Sequence, residues 1–474
     1  MAQGWDRGEW GIPCAVACNV SVRWVAALGM LLLSLAIALA LRPTPGNAFA
    51  APTSVQGRHL GVASCAGSTC HGRQEPTGAI VRQDEILHWQ DPSSPAGAHS
   101  RAWRALAGAR GRSIAARLGI GDPQASRMCL GCHSDPAAAG GPVYQLSDGV
   151  GCEGCHGSAS GWIAGHYAVG TNHAANVARG MVALDDPRAR ANRCLDCHFG
   201  SSRSGQWVDH RIMAAGHPRI AFELDLFSTL NRHWDEDGDY AARKRQPSAV
   251  KTWAVGQAEA LNRALALFAE PGRRREGMFP EFYFFDCHTC HRRISDDPEF
   301  RPSAIANPGR PIPSGMPAFQ DENMIMLTAA VAVAAPDMAG RLNADSHAFH
   351  AAIADNEGAA VAAAARLGGT AQALSARFTA APLGRRETFA IIDAVATTAA
   401  ARYTDYEGSA QAVMAVDTLL SSLVASGDVP RGAATSIRGD INRAYQAVRD
   451  PNGYQPLAFR TSLASAARAI GALK

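Results

Sequence analysis

The sequence predicts a mainly α protein with extensive loops, built in two parts, and three observations lead there. Cysteine pairs closed by a histidine recur five times between Cys65 and His291. That stretch is rich in glycine, proline and polar turns, and lacks the apolar–polar alternation that marks strands. From about residue 320 the chain has no cysteine, much alanine, and apolar residues at helical spacing.

At the N-terminus, residues 24–41 run apolar for eighteen residues after Arg23 and are followed by Pro43, Pro45 and Ala48-Phe49-Ala50. An A-x-A tripeptide after such a run is a secretory cleavage site, so residues 1–50 read as a signal peptide and the mature chain as periplasmic. Eighteen apolar residues also nearly span a bilayer, so an uncleaved anchor attached to the inner membrane is the alternative. Cys14 and Cys18 precede the run and read as thiols without a function.

The cysteine segments come next: Cys65-Ala-Gly-Ser-Thr-Cys70-His71, Cys129-Leu-Gly-Cys132-His133, Cys152-Glu-Gly-Cys155-His156, Cys194-Leu-Asp-Cys197-His198 and Cys287-His-Thr-Cys290-His291. Four are strict CxxCH. That spacing lets two thiols add to the vinyl groups of one haem while the following histidine turns its imidazole onto the iron. A structural zinc site instead closes with two cysteine pairs, or a pair plus histidines, and does not explain a histidine after every pair. The first segment has four intervening residues, and its competing reading is a small disulfide loop, which an oxidising compartment permits. His71 stands where an axial ligand must stand, so haem attachment is expected there too. The sequence thus implies five covalent c-type haems, with His71, His133, His156, His198 and His291 as proximal iron ligands.

Eleven further histidines remain: His59, His88, His99, His166, His173, His210, His217, His233, His288, His347 and His350. Most lie among the motifs, so ligation of most irons by two histidines is expected. Motifs this closely spaced leave little room for side-chain cores, and the haems must supply much of the buried apolar surface. Short helices and loops wrapped round a haem stack are therefore expected over residues 51–319. Longer helices are predicted near Arg101–Leu118, Pro218–Leu230 and Ser248–Phe268, the last with Val250, Trp253, Leu261, Leu265 and Phe268 mostly on one face.

Residues 320–474 read as an alanine-rich bundle of four or five amphipathic helices, with breaks at Gly368-Gly369, Pro382, Gly427 to Pro430 and Pro451. Phe389, Ile392, Val395 and Ala399 illustrate the spacing. Nothing in this part reads as a catalytic motif. Packing on the haem region, docking a partner or making a homo-oligomer are the roles it suggests.

The segments Ala98-His99-Ser-Arg-Ala-Trp103, Gly149-Val-Gly-Cys152-Glu-Gly-Cys155-His156-Gly157 followed by His166, and Arg193-Cys194-Leu-Asp-Cys197-His198 resemble the cytochrome c554 family of multihaem electron carriers. The resemblance covers roughly residues 57–235 and is strongest around the third motif. It implies that His166 reaches back to the first haem and His99 to the third. It also implies that a histidine after the fourth motif closes the fourth haem, best matched by His217 with His210 next. The family's five-coordinate second haem would correspond to Cys129, Cys132 and His133. The widened first motif, the fifth motif and the C-terminal helices depart from the family's pattern.

The formal charge of +3 is too small to suggest a nucleic-acid partner. Each ferric haem adds about −1, which brings the holoprotein near neutrality. The leading functional expectation is electron transfer between redox protein partners or membrane quinol-linked complexes. The alternative is a multihaem oxidoreductase acting on a small nitrogen or sulfur compound at an open iron, for which Asp84, His88 and Arg127 are proton-donor candidates by proximity in sequence. A haem-based sensor or structural module is a third class.

Overall fold

A computed structural model describes residues 57–75, 82–135, 140–219, 221–236, 240, 247–275, 278–291, 311–313, 316–399 and 405–474. The expected leader, with Cys14 and Cys18, lies outside them. Among the described residues the chain is helix and loop, as its sequence predicts; only isolated bridges pair His59 with Gly140 and Phe285 with Phe319.

The first half consists of short helices: α1 (Glu85–Gln90), α2 (Ala102–Leu106), α3 (Ala109–Leu118), α4 (Arg127–His133), α5 (Cys152–His156), α6 (Ile163–His166), α7 (His173–Ala178), α8 (Pro187–His198), α9 (His210–Ala214) and α10 (Leu224–Leu230). The helix expected over Arg101–Leu118 is interrupted at Gly108, and the one expected over Pro218–Leu230 begins only at Leu224. Two of these starts have a clear local cause. The Glu223 carboxylate accepts the Asp225 and Leu226 N–H groups at the head of α10, and Asp186 accepts the Arg188 N–H at the head of α8, where Pro187 presets the first turn.

The second half begins with α11 (Ala249–Ala269), which matches the predicted helix. It is followed by α12 (Pro271–Arg274), α13 (Cys287–Cys290), α14 (Glu322–Ala334), α15 (Ala339–Asp355), α16 (Glu357–Ala380), α17 (Arg385–Ala394), α18 (Tyr406–Ala425), α19 (Arg431–Ala447) and α20 (Pro456–Gly471). Among the described residues seven helices thus follow residue 320, more than the four or five expected. Gly368-Gly369 does not break α16. Gly368 is buried where α16 packs beside α11 and α15, and helix-favouring alanines flank the pair. Helix α18 is long and apolar enough to cross a membrane, yet 72% of its apolar window is buried, which marks a core helix of this bundle.

Residues 51–474 form one unit, and the expected boundary at 319/320 is not a gap in packing. Helix α11 is the shared strut. One side meets α8 and α10, another meets α14, α16 and α18. Trp253, Leu261, Leu265 and Phe268 are almost wholly buried. Gly256 lets α10 approach, since a Cβ there would stand 2.6 Å from Leu224 Cβ. Buried Glu259 takes a hydrogen bond from Asn192 on α8 at 2.9 Å and another from Ser375 on α16. Arg263 holds Asp196 and the Gly200 carbonyl, both at 2.8 Å.

A buried charge cluster makes a second tie. Arg219 lies 3.6 Å from Glu322 of α14 and 3.5 Å from Glu407 of α18, and its guanidinium sits over the Tyr283 ring at 5.0 Å. Burial pushes the Glu322 carboxyl up to about 7, against the lowering effect of Arg219. Cys287 stands 3.0 Å from Glu407, so the fifth motif is bound into the same cluster.

Replacing Arg219 by Met should destabilise the protein by about 3–5 kcal/mol at pH 8, because two buried carboxylates lose their counter-charge. Glu322 has a folded pKa above its unfolded value of 4.5, so the folded state binds the extra proton between that value and about 7, and stability falls as pH rises through the window. The loss should therefore be smaller at pH 5 than at pH 8. Thermal unfolding of both proteins at the two pH values checks this, and an equal loss at both would contradict it.

Candidate haem-binding centres

The spacing C-x-x-C-H places both cysteines and the histidine within one helical turn, and four segments end short helices: α4, α5, α8 and, one residue before His291, α13. In α13 the His291 N–H donates to the Cys287 carbonyl at 2.8 Å. The wider first segment folds as a turn that closes the corresponding bond, with the His71 N–H on the Cys65 carbonyl at 3.1 Å. Two extra residues are thus looped out while the first cysteine and the histidine keep their relation. Cys65 and Cys70 are not joined to each other, against the disulfide reading.

The segments meet in pairs. Cys65 and Cys152 are within hydrogen-bonding reach, which brings the first and third together. Cys132 and Cys197 bring the second and fourth together, with the Cys197 sulfur 3.7 Å from the Gly131 carbonyl. Glycine is required at this crossing, because a Cβ on Gly131 would come 2.3 Å from the Gly205 carbonyl oxygen, and Gly205 itself has φ of +79°.

Opposite four of the five motif histidines stands another histidine. Ring centroids are 6.1 Å apart for His71 and His166, 6.0 Å for His99 and His198, 6.3 Å for His133 and His217, and 6.3 Å for His210 and His291. Metal–imidazole nitrogen bonds of about 2.0 Å, plus roughly 1.1 Å from each nitrogen to its ring centre, put two rings on one ion about 6.2 Å apart. The spacing is too wide for direct stacking and fits one bridging metal ion. The residues therefore fit haem.

The placement corrects three expectations. His99 faces His198 of the fourth motif, not the third. His217 faces His133, whose iron was expected to be open. His210, taken as the reserve ligand for the fourth motif, faces His291 of the fifth. His166 faces His71, as the resemblance implies. The family's distal ligands were carried over by order along the chain, whereas the loops of this chain set which rings meet.

Anchors on Nδ1 orient these rings and leave Nε2 to bind. His133 donates to the Ala102 carbonyl at 2.9 Å, His217 to the Pro218 carbonyl at 2.7 Å, His99 to Asn231 Oδ1 at 2.8 Å and His71 to Glu85 Oε2 at 2.9 Å. Burial, and then the neighbouring charge of His99, lowers His198 to about 4, so its imidazole is neutral and able to ligate at physiological pH. The hydrogen bond that His71 donates to the Glu85 carboxylate holds His71 above its usual range. These anchors escaped sequence reading, as an isolated Glu or Asn has no motif.

Other sequence candidates lie elsewhere. His88 pairs with Asp84 at 3.5 Å, and Arg127 is exposed at the start of α4. His59, Asp135 and Glu153 are buried with one ligand atom each inside 4.8 Å. Glu153 there accepts the Gly61 N–H at 2.8 Å and the Ala159 N–H at 2.5 Å, clasping the loops around the third motif.

Ring planes give a spectroscopic expectation. The His71–His166 and His210–His291 pairs are near parallel, at 21° and 32°, while His99–His198 and His133–His217 are crossed, at 86° and 90°. Electron paramagnetic resonance of the oxidised protein should show rhombic low-spin signals from the first two and strongly anisotropic ones from the other two. A spectrum with rhombic signals alone would contradict the crossed arrangement.

Residues 65–157, which hold the first three motifs, match the family described as cytochrome c554 and c-prime. No curated protein and no solved structure matches the chain. The fourth and fifth motifs and the helices from α6 onward lie beyond the matched span. The chain is a multihaem c-type cytochrome resembling the cytochrome c554 family, with iron-bearing haem c as cofactor and electron transfer as its role.

Proposed function

We propose that this protein is a periplasmic electron carrier with five covalent haems, relaying electrons between redox protein partners or membrane quinol-linked complexes. Cys65 and Cys70, Cys129 and Cys132, Cys152 and Cys155, Cys194 and Cys197, and Cys287 and Cys290 hold them, with His71, His133, His156, His198 and His291 as proximal ligands. His166, His217, His99 and His210 are the distal ligands of the first, second, fourth and fifth. The observation that carries this reading is the set of four ring pairs at 6.0–6.3 Å. Export rests on the apolar run 24–41 and Ala48-Phe49-Ala50, which covalent haem attachment outside the cytoplasm requires.

When bound, each haem supplies a one-electron couple. The chain's own contribution would be to hold one imidazole on each side of the position an iron would take, so that little has to move when charge changes. Backbone carbonyls and side-chain acceptors on Nδ1 fix the ring orientation, and the pairing of the first motif with the third and the second with the fourth keeps neighbouring centres close. The oxidoreductase alternative needs an iron with an open face; His217 opposite His133 occupies the position where the family resemblance put one.

Pyridine haemochrome analysis with intact mass should give five haems per chain, and four with a Cys65–Cys70 disulfide would contradict the reading of the first motif. His166→Ala, His99→Ala, His217→Ala and His210→Ala should each convert one haem in five to high spin and raise its potential. Unchanged low-spin spectra in all four would contradict the ligand set.

A further inference from the structure

Apart from the ring pairs, three side chains from separate segments converge in the interior: His59, six residues before Cys65; Asp135, two residues after His133; and Glu153, directly after Cys152. We infer that they form a buried site for one divalent transition ion of the zinc kind, which clamps the segments of the first three motifs to one another. This site is separate from the haems and does not depend on how many the chain carries.

Distances support it first. One ligand atom from each residue lies within 4.8 Å of the other two, and His59 Nδ1 stands 3.3 Å from Asp135 Oδ2. Two ligands bonded at about 2.0–2.1 Å to one tetrahedral ion stand roughly 3.3–3.4 Å from each other. The contact is not a hydrogen bond, for His59 Nδ1 has no hydrogen-bond partner, and neither has Asp135 Oδ1. With His59 only 8% and Asp135 only 5% exposed, bulk water does not serve these atoms either.

The surroundings are shaped for the donors. A Cβ on Gly154 would stand 2.6 Å from Asp135 Oδ1, and one on Gly151 would stand 3.1 Å from Oδ2, so the glycines on either side of Cys152 and Glu153 leave room for the carboxylate. The His59 carbonyl accepts the Gly141 N–H at 2.6 Å, and the Tyr144 hydroxyl donates to the Asp135 carbonyl at 2.7 Å, which fixes both backbones. Glu153 takes one backbone N–H on each oxygen, and each oxygen keeps a lone pair for a metal. Two carboxylates buried together are costly without a counter-charge, and a doubly charged ion balances both. An imidazole nitrogen in the set favours zinc over calcium, which takes oxygen ligands.

The test is calorimetric titration of chelator-treated holoprotein with zinc sulfate and, in parallel, with calcium chloride. The unmodified protein should take up about one zinc ion per chain and no calcium. His59→Ala and Asp135→Asn should each lose that uptake while keeping the haem count and low-spin signals of the unmodified protein. His173→Ala, at an exposed histidine beside Asp185, should bind as the unmodified protein does. Chelation should lower the melting temperature of the unmodified protein and leave that of His59→Ala unchanged. X-ray absorption at the zinc edge reads the ligands without any variant: imidazole nitrogen and oxygen at about 2.0–2.2 Å are expected, and a sulfur shell at about 2.3 Å would overturn the inference. So would no zinc uptake by the unmodified protein, uptake of calcium in its place, or equal zinc uptake by all variants. Loss of one low-spin haem in His59→Ala would assign that imidazole to an iron and overturn it as well.

Discussion

Two imidazoles held about 6 Å apart, on either side of a space that fits one metal ion, form the constraint on which the rest of this structure depends. Such an arrangement is unfavourable without the metal. The rings of His99 and His198 are withdrawn from water, burial lowers the basicity of both, and they are too far apart to stack on one another. Occupied by iron, the same arrangement becomes the centre from which each short helix hangs. That accounts for an N-terminal half whose helices seldom exceed two turns and whose apolar clusters are as small as Val62, Ile86 and Trp89. Folding of this half should therefore depend on cofactor attachment, as in other metal-dependent domains.

The second half supplies what the first lacks. Helix α11 carries a conventional core along its length and presents Glu259 and Arg263 to the helix that ends in the fourth motif. The Arg219 cluster does the same for the fifth motif through Cys287 and Glu407. The helical bundle is thus continuous with the haem region, and its rigidity is passed to at least two motifs. For an electron carrier this is a physical asset, because ligands that do not move lower the reorganisation that accompanies each electron.

Local chemistry was legible in the sequence and non-local geometry was not. The cysteines and histidine of a CxxCH segment lie in five consecutive residues, so their spacing can be read directly, and the widened Cys65–His71 segment closes the same kind of backbone bond as the fifth. The periodicity of Val250, Trp253, Leu261 and Phe268 gave α11 within a residue or two. Distal pairing depends on how loops cross. His99 meets His198 across ninety-nine residues, and no spacing rule reports that. The family pattern pairs His166 with the first motif and His99 with the third, whereas the rings nearest them in the fold are those of His71, 6.1 Å from His166, and His198, 6.0 Å from His99. Gly368-Gly369 misled for a different reason: helix-favouring alanines on either side carry α16 through the pair, where the sequence suggested a break. Asn231 and Glu85, which orient rings, carry no signature at all until the fold brings them to a histidine.

The central claim is that pairs of histidines, and no other ligand, hold the irons of this protein. Near-infrared magnetic circular dichroism of the oxidised holoprotein reads the axial ligand pair directly, through the energy of the low-spin charge-transfer band. The account predicts bands of the histidine–histidine type alone. A band of the histidine–methionine type, or a high-spin band accounting for two or more of the haems, would contradict it.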